Sequence, residues 1–324
     1  MSKLLNEYPS VCIAIAAYNV EDYIEKTVKS VLDQTYNNIH VIVINDGSTD
    51  GTLEQLNKFK DKITIYNQEN NGLSSVRNKA IELCKEDYLV QIDGDDYVER
   101  NWISNCIKKM VASKSDLLFF GYNSVNLKGN TLRHGIKREY SSNERISKSI
   151  VLYKIATNQM NNYTWSYILK ASIVKKMQQP VFPLGIKFED MATTYKFILN
   201  AKKIDFLGGI YYHYVQRSDS ITKSPSRSDV YDLQKIKKEL NSKLSGIISN
   251  NILETWNLNI NIACYQILSY SKNENAKFLE KLKNEIISEN YSDITMTMKV
   301  KIKLIKLGIY KYVYSYIAKL RWKI

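Results

Sequence analysis

Three carboxylates fall within four residues at Asp93-Gly94-Asp95-Asp96, directly after the apolar run Tyr88-Leu89-Val90. Adjacent carboxylates repel one another, and burying them unpaired is costly. Such a cluster at the end of a core strand calls for a cation, and hard oxygen ligands suit Mg2+ or Mn2+. The chemistry expected is a divalent metal held by the acids and a diphosphate held by the metal. An ordinary acidic turn is the plain alternative for the tetrapeptide alone. A second acidic pair, Glu189-Asp190, stands just before a helical stretch over residues 191–201.

The elements that position these groups can be read from hydrophobic patterning. Residues 11–17 are a continuous apolar run, the pattern of a strand buried on both faces of a parallel sheet. Ile24, Val28, Val31 and Leu32 then recur at helical spacing. A second apolar run over residues 39–44 stops at Asn45-Asp46-Gly47-Ser48, which is turn and cap chemistry leading into a helix over residues 52–59. A short strand over residues 63–66, the turn Asn70-Asn71-Gly72 and a helix over residues 73–84 follow. Residues 88–92 form the fourth strand, which runs into the acidic cluster. This alternation predicts a doubly wound α/β domain, in which ligands lie beyond the carboxyl ends of the strands. Tyr18-Asn19, Asp46 and Asp93-Gly94-Asp95 all stand at such ends and are expected to converge.

Further on, residues 116–122 read as another buried strand, and residues 123–135 as a hairpin around Lys128-Gly129-Asn130. Residues 143–156 are helical, residues 163–169 aromatic and strand-like, and residues 210–215 a strand containing His213. From Asp229 onward the pattern is helical throughout. The expected division is a catalytic domain over residues 1–225 and a helical domain over residues 226–324.

Composition bounds the reading. The chain has 324 residues, 44% hydrophobic and 24% charged, which is the balance of a folded globular protein. Its four scattered cysteines form no CxxC pair, so they read as reduced core residues rather than a disulfide frame. The first residues lack the order of a signal peptide, and no apolar run has the length of a spanning helix. The expected location is therefore the cytoplasm, peripheral at the inner face of the membrane. The net charge of +13 admits a nucleic acid, an anionic membrane or an anionic substrate. Its distribution is uneven, with eight Lys or Arg and no acid across residues 296–324.

Six motifs in order give the chain a family resemblance. They are Ala16-Ala17-Tyr18-Asn19, Asn45 to Asp50, Asn71 to Asn78, Asp93 to Asp96, Phe188-Glu189-Asp190, and Tyr212-His213-Tyr214 with Arg217 and Ser220-Ile221-Thr222. Together they resemble the nucleotide-sugar domain of glycosyltransferase family 2 over roughly residues 9–225. The family usually has Pro at the position of Ala16 and commonly Asp at that of Asn45. The resemblance implies a Rossmann-like GT-A domain with a mixed central sheet, followed here by an all-helical C-terminal region. It also implies an activated sugar donor such as a UDP-sugar, Mn2+ or Mg2+, and inversion at the anomeric carbon, in enzymes that build bacterial capsule, wall and lipid-linked glycans.

The residue roles follow from that resemblance. Asp46 accepts a hydrogen bond from uracil, with a helix cap or Asx turn as the structural alternative. Ala16 and Tyr18 line base and ribose. Arg77 reaches the nucleotide or pairs with an acid at a strand end. Asp93 and Gly94 belong to the donor site, with Asp93 on ribose. Asp95 and His213 are the expected metal ligands, and Asp96 either meets the metal through water or stabilises the next turn. Asp190 is the general base and Glu189 its companion, although acids at that position also suit a helix N-terminus. Arg217, Ser220 and Lys223 neighbour the diphosphate. Trp165 is a platform for the acceptor sugar, with a core position as its alternative.

The basic C-terminal stretch, read as one helix over residues 296–320, repeats Ile305, Ile309, Val313 and Ile317 at four-residue spacing among its lysines. With Tyr310, Tyr312, Tyr314, Tyr316 and Trp322 it is expected to touch an anionic membrane surface, where a glycan or lipid-linked saccharide acceptor lies. Packing on the catalytic domain is the alternative. Rival readings fare worse. A nucleotidyltransferase wants a Gly-rich phosphate loop where Tyr18-Asn19-Val20-Glu21 stands. A nucleic-acid binder wants its charge on the Tyr-rich surfaces of the first domain, so no nucleic-acid partner is expected. A catalytically dead carbohydrate-binding relative would not be expected to keep Asp93, Asp95 and Asp190. The sequence leaves the sugar and the linkage open, and allows an oligomer.

Overall fold

A computed structural model describes residues 8–133, 146–217, 226–269, 276–288, 291 and 294–321. The chain forms two compact units. The first comprises Met1–Lys148 and Asn162–Ser220; the second comprises Ser149–Asn161 and Ile221–Ile324.

The first unit alternates as the patterning predicts: β1 (Val11–Ala17), α1 (Ile24–Leu32), β2 (Ile39–Asp46), α2 (Thr52–Asn57), β3 (Thr64–Gln68), α3 (Leu73–Leu83) and β4 (Tyr88–Asp93). Strand β5 (Tyr97–Val98), helix α4 (Trp102–Ser113), strand β6 (Leu117–Val125) and strand β7 (Thr131–Arg133) come next. Helix α5 (Lys148–Ala156) is placed almost entirely in the second unit. The first unit resumes with β8 (Tyr167–Lys170), α6 (Ala171–Lys175), α7 (Glu189–Asn200) and β9 (Ile204–Val215).

The sheet runs β3-β2-β1-β4-β8-β6-β9-β5, with β7 paired to β6. Its first four strands are parallel, while β8 pairs antiparallel with both β4 and β6, making the sheet mixed. Alternate residues of β1 point to opposite faces. Val11, Ile13 and Ile15 join Val28 and Val31 of α1, Val90 and Ile92 of β4, and Trp102 and Ile107 of α4 in one core. Helix α3 packs over β1, β2 and β4 through buried Val76, Ala80 and Ile81. Register then does the functional work: Ala17 pairs with Asn45 and Ala16 with Asp93, so the ends of β1, β2 and β4 lie side by side. The convergence expected from strand order is thus built into the sheet.

Several elements differ from their sequence pattern: β9 starts at Ile204 rather than at residue 210, and α6 has no counterpart in the patterning. The aromatic stretch over residues 163–169 is strand only from Tyr167, because Thr164–Ser166 forms a 3-10 turn. The second unit contains α8 (Arg227–Leu244), α9 (Asn250–Ser269) and α10 (Ala276–Ser288). The expected long C-terminal helix is two, α11 (Met296–Lys306) and α12 (Tyr310–Arg321). Gly308 lies between them with φ +70, the left-handed backbone that ends a helix and that glycine adopts without steric cost. Of the four-residue apolar repeat, Ile305 is buried and Ile309 is 41% exposed. Ser220 to Thr222, Lys223, Trp322 and the far arm of the hairpin beyond Arg133 lie outside the described residues.

Candidate active site

The turn after β4 is held from three sides. Gly94 donates its N–H to the Ala16 carbonyl at 2.8 Å. A Cβ on Gly94 would stand 2.7 Å from that same oxygen, so only glycine lets the turn approach β1 so closely. Thr27 of α1 sends its hydroxyl toward the carbonyls of Gly94 and Asp96, at 2.9 and 2.7 Å. Asp96, 1% exposed, accepts from Tyr212 Oη at 2.5 Å and from the Val215 N–H at 2.7 Å. Asp96 therefore fastens β9 to the turn. Burial, then Asp95 and Asp93, raise its pKa well above the usual carboxylate range. Thr27 and Tyr212 are positioning residues; sequence reasoning did not single out Thr27 and named Tyr212 only within the closing motif, with no role.

The loops after β1 and β2 are stitched together. The Asn19 N–H meets Ser48 Oγ at 3.1 Å, and Asn19 Oδ1 accepts from the Thr49 N–H at 2.8 Å. Asp46, 3% exposed, holds the β3–α3 turn. Its Oδ1 accepts from the Gln68 side chain and the Asn71 N–H, and its Oδ2 accepts from the Gly72 N–H at 2.9 Å. Tyr18, 42% exposed, stands at the end of β1.

Arg77, 3% exposed on α3, is the hub of the acidic groups. Its Nη1 contacts Glu189 Oε1 at 2.5 Å and also Asp190 Oδ1; Nη2 lies 3.7 Å from Asp93 Oδ1. Of the two roles expected for Arg77, the structure shows the pairing with acids. Burial opposes its charge, but Asp190, Glu189 and Asp93 more than compensate, and its pKa is raised. Asp190 Oδ1 also accepts the N–H and hydroxyl of Thr164, whereas Asp190 Oδ2 accepts no hydrogen bond among the described residues. Glu189 and Asp190 occupy the first turn of α7, where the helix dipole favours anions.

Asp93 has no hydrogen bond to its carboxylate among the described residues. Burial, with Asp95, Asp190 and Glu189 close by, pushes its pKa up to about 7 against the pull of Arg77. Asp95 Oδ2 lies 2.8 Å from Arg217 Nε, near enough for an ion pair but without the alignment of a hydrogen bond. Among the described residues the cluster sets Asp93, Asp95, Asp96, Glu189 and Asp190 against Arg77 and Arg217. The all-oxygen donor set of the acids fits Mg2+ or Mn2+.

His213 and Trp165 sit elsewhere than expected. His213 stacks on Tyr97, with Nδ1 2.6 Å from Asn123 Oδ1 and Nε2 2.7 Å from Glu99 Oε1. Both ring nitrogens are engaged and neither contacts Asp95, so the structure does not bring the two expected metal ligands together. Trp165 is 4% exposed, stacked on Tyr163 and Tyr212 at 4.7 and 4.6 Å between centroids. So little free surface leaves it no face for a sugar. Among the described residues, the trio of potential metal-ligating atoms that converges within 4.8 Å is Cys12, Cys84 and Glu86, which includes the opposite end of β1.

A Rossmann-like sheet with carboxylates gathered at its strand ends defines a nucleotide-sugar type of domain. The sequence profile described as Glycosyl transferase family 2 matches residues 12–176, and the chain belongs to that family. The glycosyltransferase GlyA of Streptococcus pneumoniae is 29% identical over 221 residues, 66% of this chain and 31% of GlyA. WfaP of Escherichia coli, a UDP-Glc:alpha-D-GlcNAc-diphosphoundecaprenol beta-1,3-glucosyltransferase, is 40% identical over 128 residues, 39% of this chain and 50% of WfaP. The chain therefore spans about a third of one relative and half of the other. The crystal structure of S. aureus TarS 1-349 in complex with UDP-GlcNAc aligns with a TM-score of 0.67 at 18% identity, covering 96% of this chain and 92% of that one. The fold is GT-A.

Proposed function

We propose that this chain transfers a sugar from a UDP-sugar to a hydroxyl of a glycan or lipid-linked saccharide, with inversion, in the assembly of a bacterial surface polysaccharide. The observation that carries this reading is the state of Asp190. One carboxylate oxygen is fixed by Arg77 and Thr164, and the other is left without a donor beside the acids of the β4 turn. Oδ2 accepts the proton of the acceptor hydroxyl as that oxygen bonds to the anomeric carbon and the bond to UDP breaks. Arg77 and Thr164 orient Asp190, while Glu189 shares the guanidinium.

Asp93, whose carboxylate lacks a donor, takes the ribose hydroxyls. Tyr18 and Ala16 line the nucleoside together with the turn held by Asp46. Asp95 would hold the divalent ion, which when bound would offset charge on the departing diphosphate. Arg217 adds a fixed cation on the same side. The lysine-rich α11 and α12 rest on the anionic inner face of the membrane, where a lipid-linked acceptor is presented. Among the described residues no helix is long and apolar enough to cross a membrane.

The test is a screen for UDP release in Mn2+. UDP-glucose and alkyl-diphosphate-linked GlcNAc are the first donor and acceptor, a choice supported by the name of WfaP. Calorimetry should show UDP binding in Mn2+, and its absence would sink the reading. Asp190→Asn should retain UDP affinity and lose transfer. Full transfer by that variant would remove Asp190 as the base.

A further inference from the structure

The burial of Trp165 leaves open which rings meet the acceptor. Two partly exposed aromatic side chains stand next in sequence to groups of the base site: Tyr163 precedes Thr164, which binds Asp190, and Phe188 precedes Glu189. Tyr163 is 39% exposed, and its ring lies against Trp165. The residue after it, Thr164, donates both its N–H and its hydroxyl to Asp190 Oδ1. Phe188 is 37% exposed and stands two residues before Asp190.

Phe188 also holds an unusual backbone. It is the N-cap of α7 with φ +60 and ψ 35. A bulky L-residue in this left-handed region costs about 1–2 kcal/mol, and glycine avoids that cost. The ring stacks on no other aromatic among the described residues. Strained conformations of this kind cluster at ligand sites, where the surroundings hold them in place.

We propose that Tyr163 and Phe188 form the acceptor subsite, bracketing Asp190 and offering their faces to the C–H surface of the sugar ring that carries the attacking hydroxyl. The ligand class is a pyranose with one apolar face. Aromatic walls with one convergent polar group are the usual composition of such pockets. Tyr163 is supported from behind by Trp165, which in turn stacks on Tyr212, the same residue that secures Asp96. The platform and the acidic turn therefore share one support. This subsite rests on Asp190 being the base.

The backbone at Phe188 allows a test that separates binding from folding. Phe188→Gly removes the ring while suiting φ +60, so its melting temperature should equal or exceed that of the wild type. With UDP-glucose and alkyl-diphosphate-linked GlcNAc, Phe188→Gly and Tyr163→Ala should each raise acceptor KM at least about tenfold, equivalent to about 1.4 kcal/mol. UDP affinity in Mn2+ should stay unchanged by calorimetry. Saturation-transfer NMR with the same acceptor reads the subsite without turnover. Sugar C–H signals should appear with the wild type and vanish in both ring-removing variants. Their absence in the wild type, wild-type acceptor KM in both variants, or a parallel loss of UDP affinity would overturn the subsite. If Asp190→Asn transfers fully, the base reading fails and the subsite falls with it. If Asp190→Asn is dead while both ring variants keep the wild-type KM, the subsite alone is wrong.

Discussion

Replacing Arg77 with Met should be severe, and more so at high pH. The side chain is 3% exposed and its guanidinium faces Glu189, Asp190 and Asp93. Met keeps much of the volume and removes the charge. Removing one partner of a buried ion pair typically costs about 3–5 kcal/mol, because the remaining charge is left without compensation. Here three carboxylates lose their cation together, but Asp93 and Glu189 have an escape in taking up a proton. Asp93 already sits at about 7 with Arg77 present, and Glu189 is also raised, by burial first and then by Asp190 against the pull of Arg77. Without Arg77 both shift further upward. A group whose folded pKa exceeds its unfolded value contributes stability at low pH and loses it as pH rises through the folded value. The gap between wild type and Arg77→Met should therefore widen with pH, from about 1 kcal/mol near pH 5, the worth of the lost hydrogen bonds, to about 3–5 kcal/mol near pH 8. For a unit of roughly 200 residues the larger gap is a fall in Tm on the order of 10 °C. Near-ultraviolet circular dichroism follows this unit through the stacked rings of Trp165, Tyr163 and Tyr212. A gap below about 1 kcal/mol at pH 8, or the same gap at both pH values, would refute the reasoning.

Gly94→Ala should destabilise by about 1–3 kcal/mol and weaken UDP binding, since its Cβ would press on the Ala16 carbonyl at 2.7 Å; wild-type urea midpoint and calorimetric affinity would contradict this. Tyr212→Phe should cost about 1–3 kcal/mol by depriving buried Asp96 of a donor, read from the same urea transition. In EDTA, Asp93 should contribute stability below its unfolded value of 3.8 and lose it as pH climbs through about 7. The wild-type Tm should accordingly decline between pH 5 and 8 more steeply than that of Asp93→Asn, and superimposable profiles would count against the raised pKa.

The sheet was legible because β1, β2 and β4 are buried on both faces and therefore read as unbroken apolar runs bounded by turn residues. Their ends were legible for the same reason, since strand order alone brings Asp46 and Asp93 to one edge. Contacts made across long stretches of chain left no such trace. Thr27 lies 67 residues from Gly94, and Tyr212 lies 116 from Asp96, so periodicity marks one as a buried helix position and the other as part of an aromatic strand. The sequence pattern does not distinguish the rings Tyr163 and Trp165, and the 3-10 turn Thr164–Ser166, which contains Trp165 and is capped by Tyr163, decides which is covered. At the C-terminus, four-residue spacing of isoleucines outweighed a single glycine in the reading of one helix, whereas Gly308 ends α11 in the structure.

What a motif shows as one acidic cluster separates once the donors to each carboxylate are counted. Asp46 and Asp96 are almost wholly buried, and both oxygens of each accept from protein donors, so these acids hold a turn and a strand in place. Asp190 has one oxygen fixed and one left over, and Asp93 has neither oxygen hydrogen-bonded among the described residues. Burying a carboxylate without donors is unfavourable, which is why Asp93 drifts toward protonation. A ligand that brings hydroxyls or a cation relieves that cost on binding, so affinity is generated where the empty site is least satisfied. The same count separates acids that could be replaced by other hydrogen-bond acceptors from those whose negative charge is needed. Asp96→Asn keeps an acceptor for the Val215 N–H, its amide donating to Tyr212 Oη instead, and should fold, whereas Asp93→Asn should fold better and bind donor less well. A variant pair behaving in the opposite order would mean that donor count does not sort structural from chemical carboxylates here.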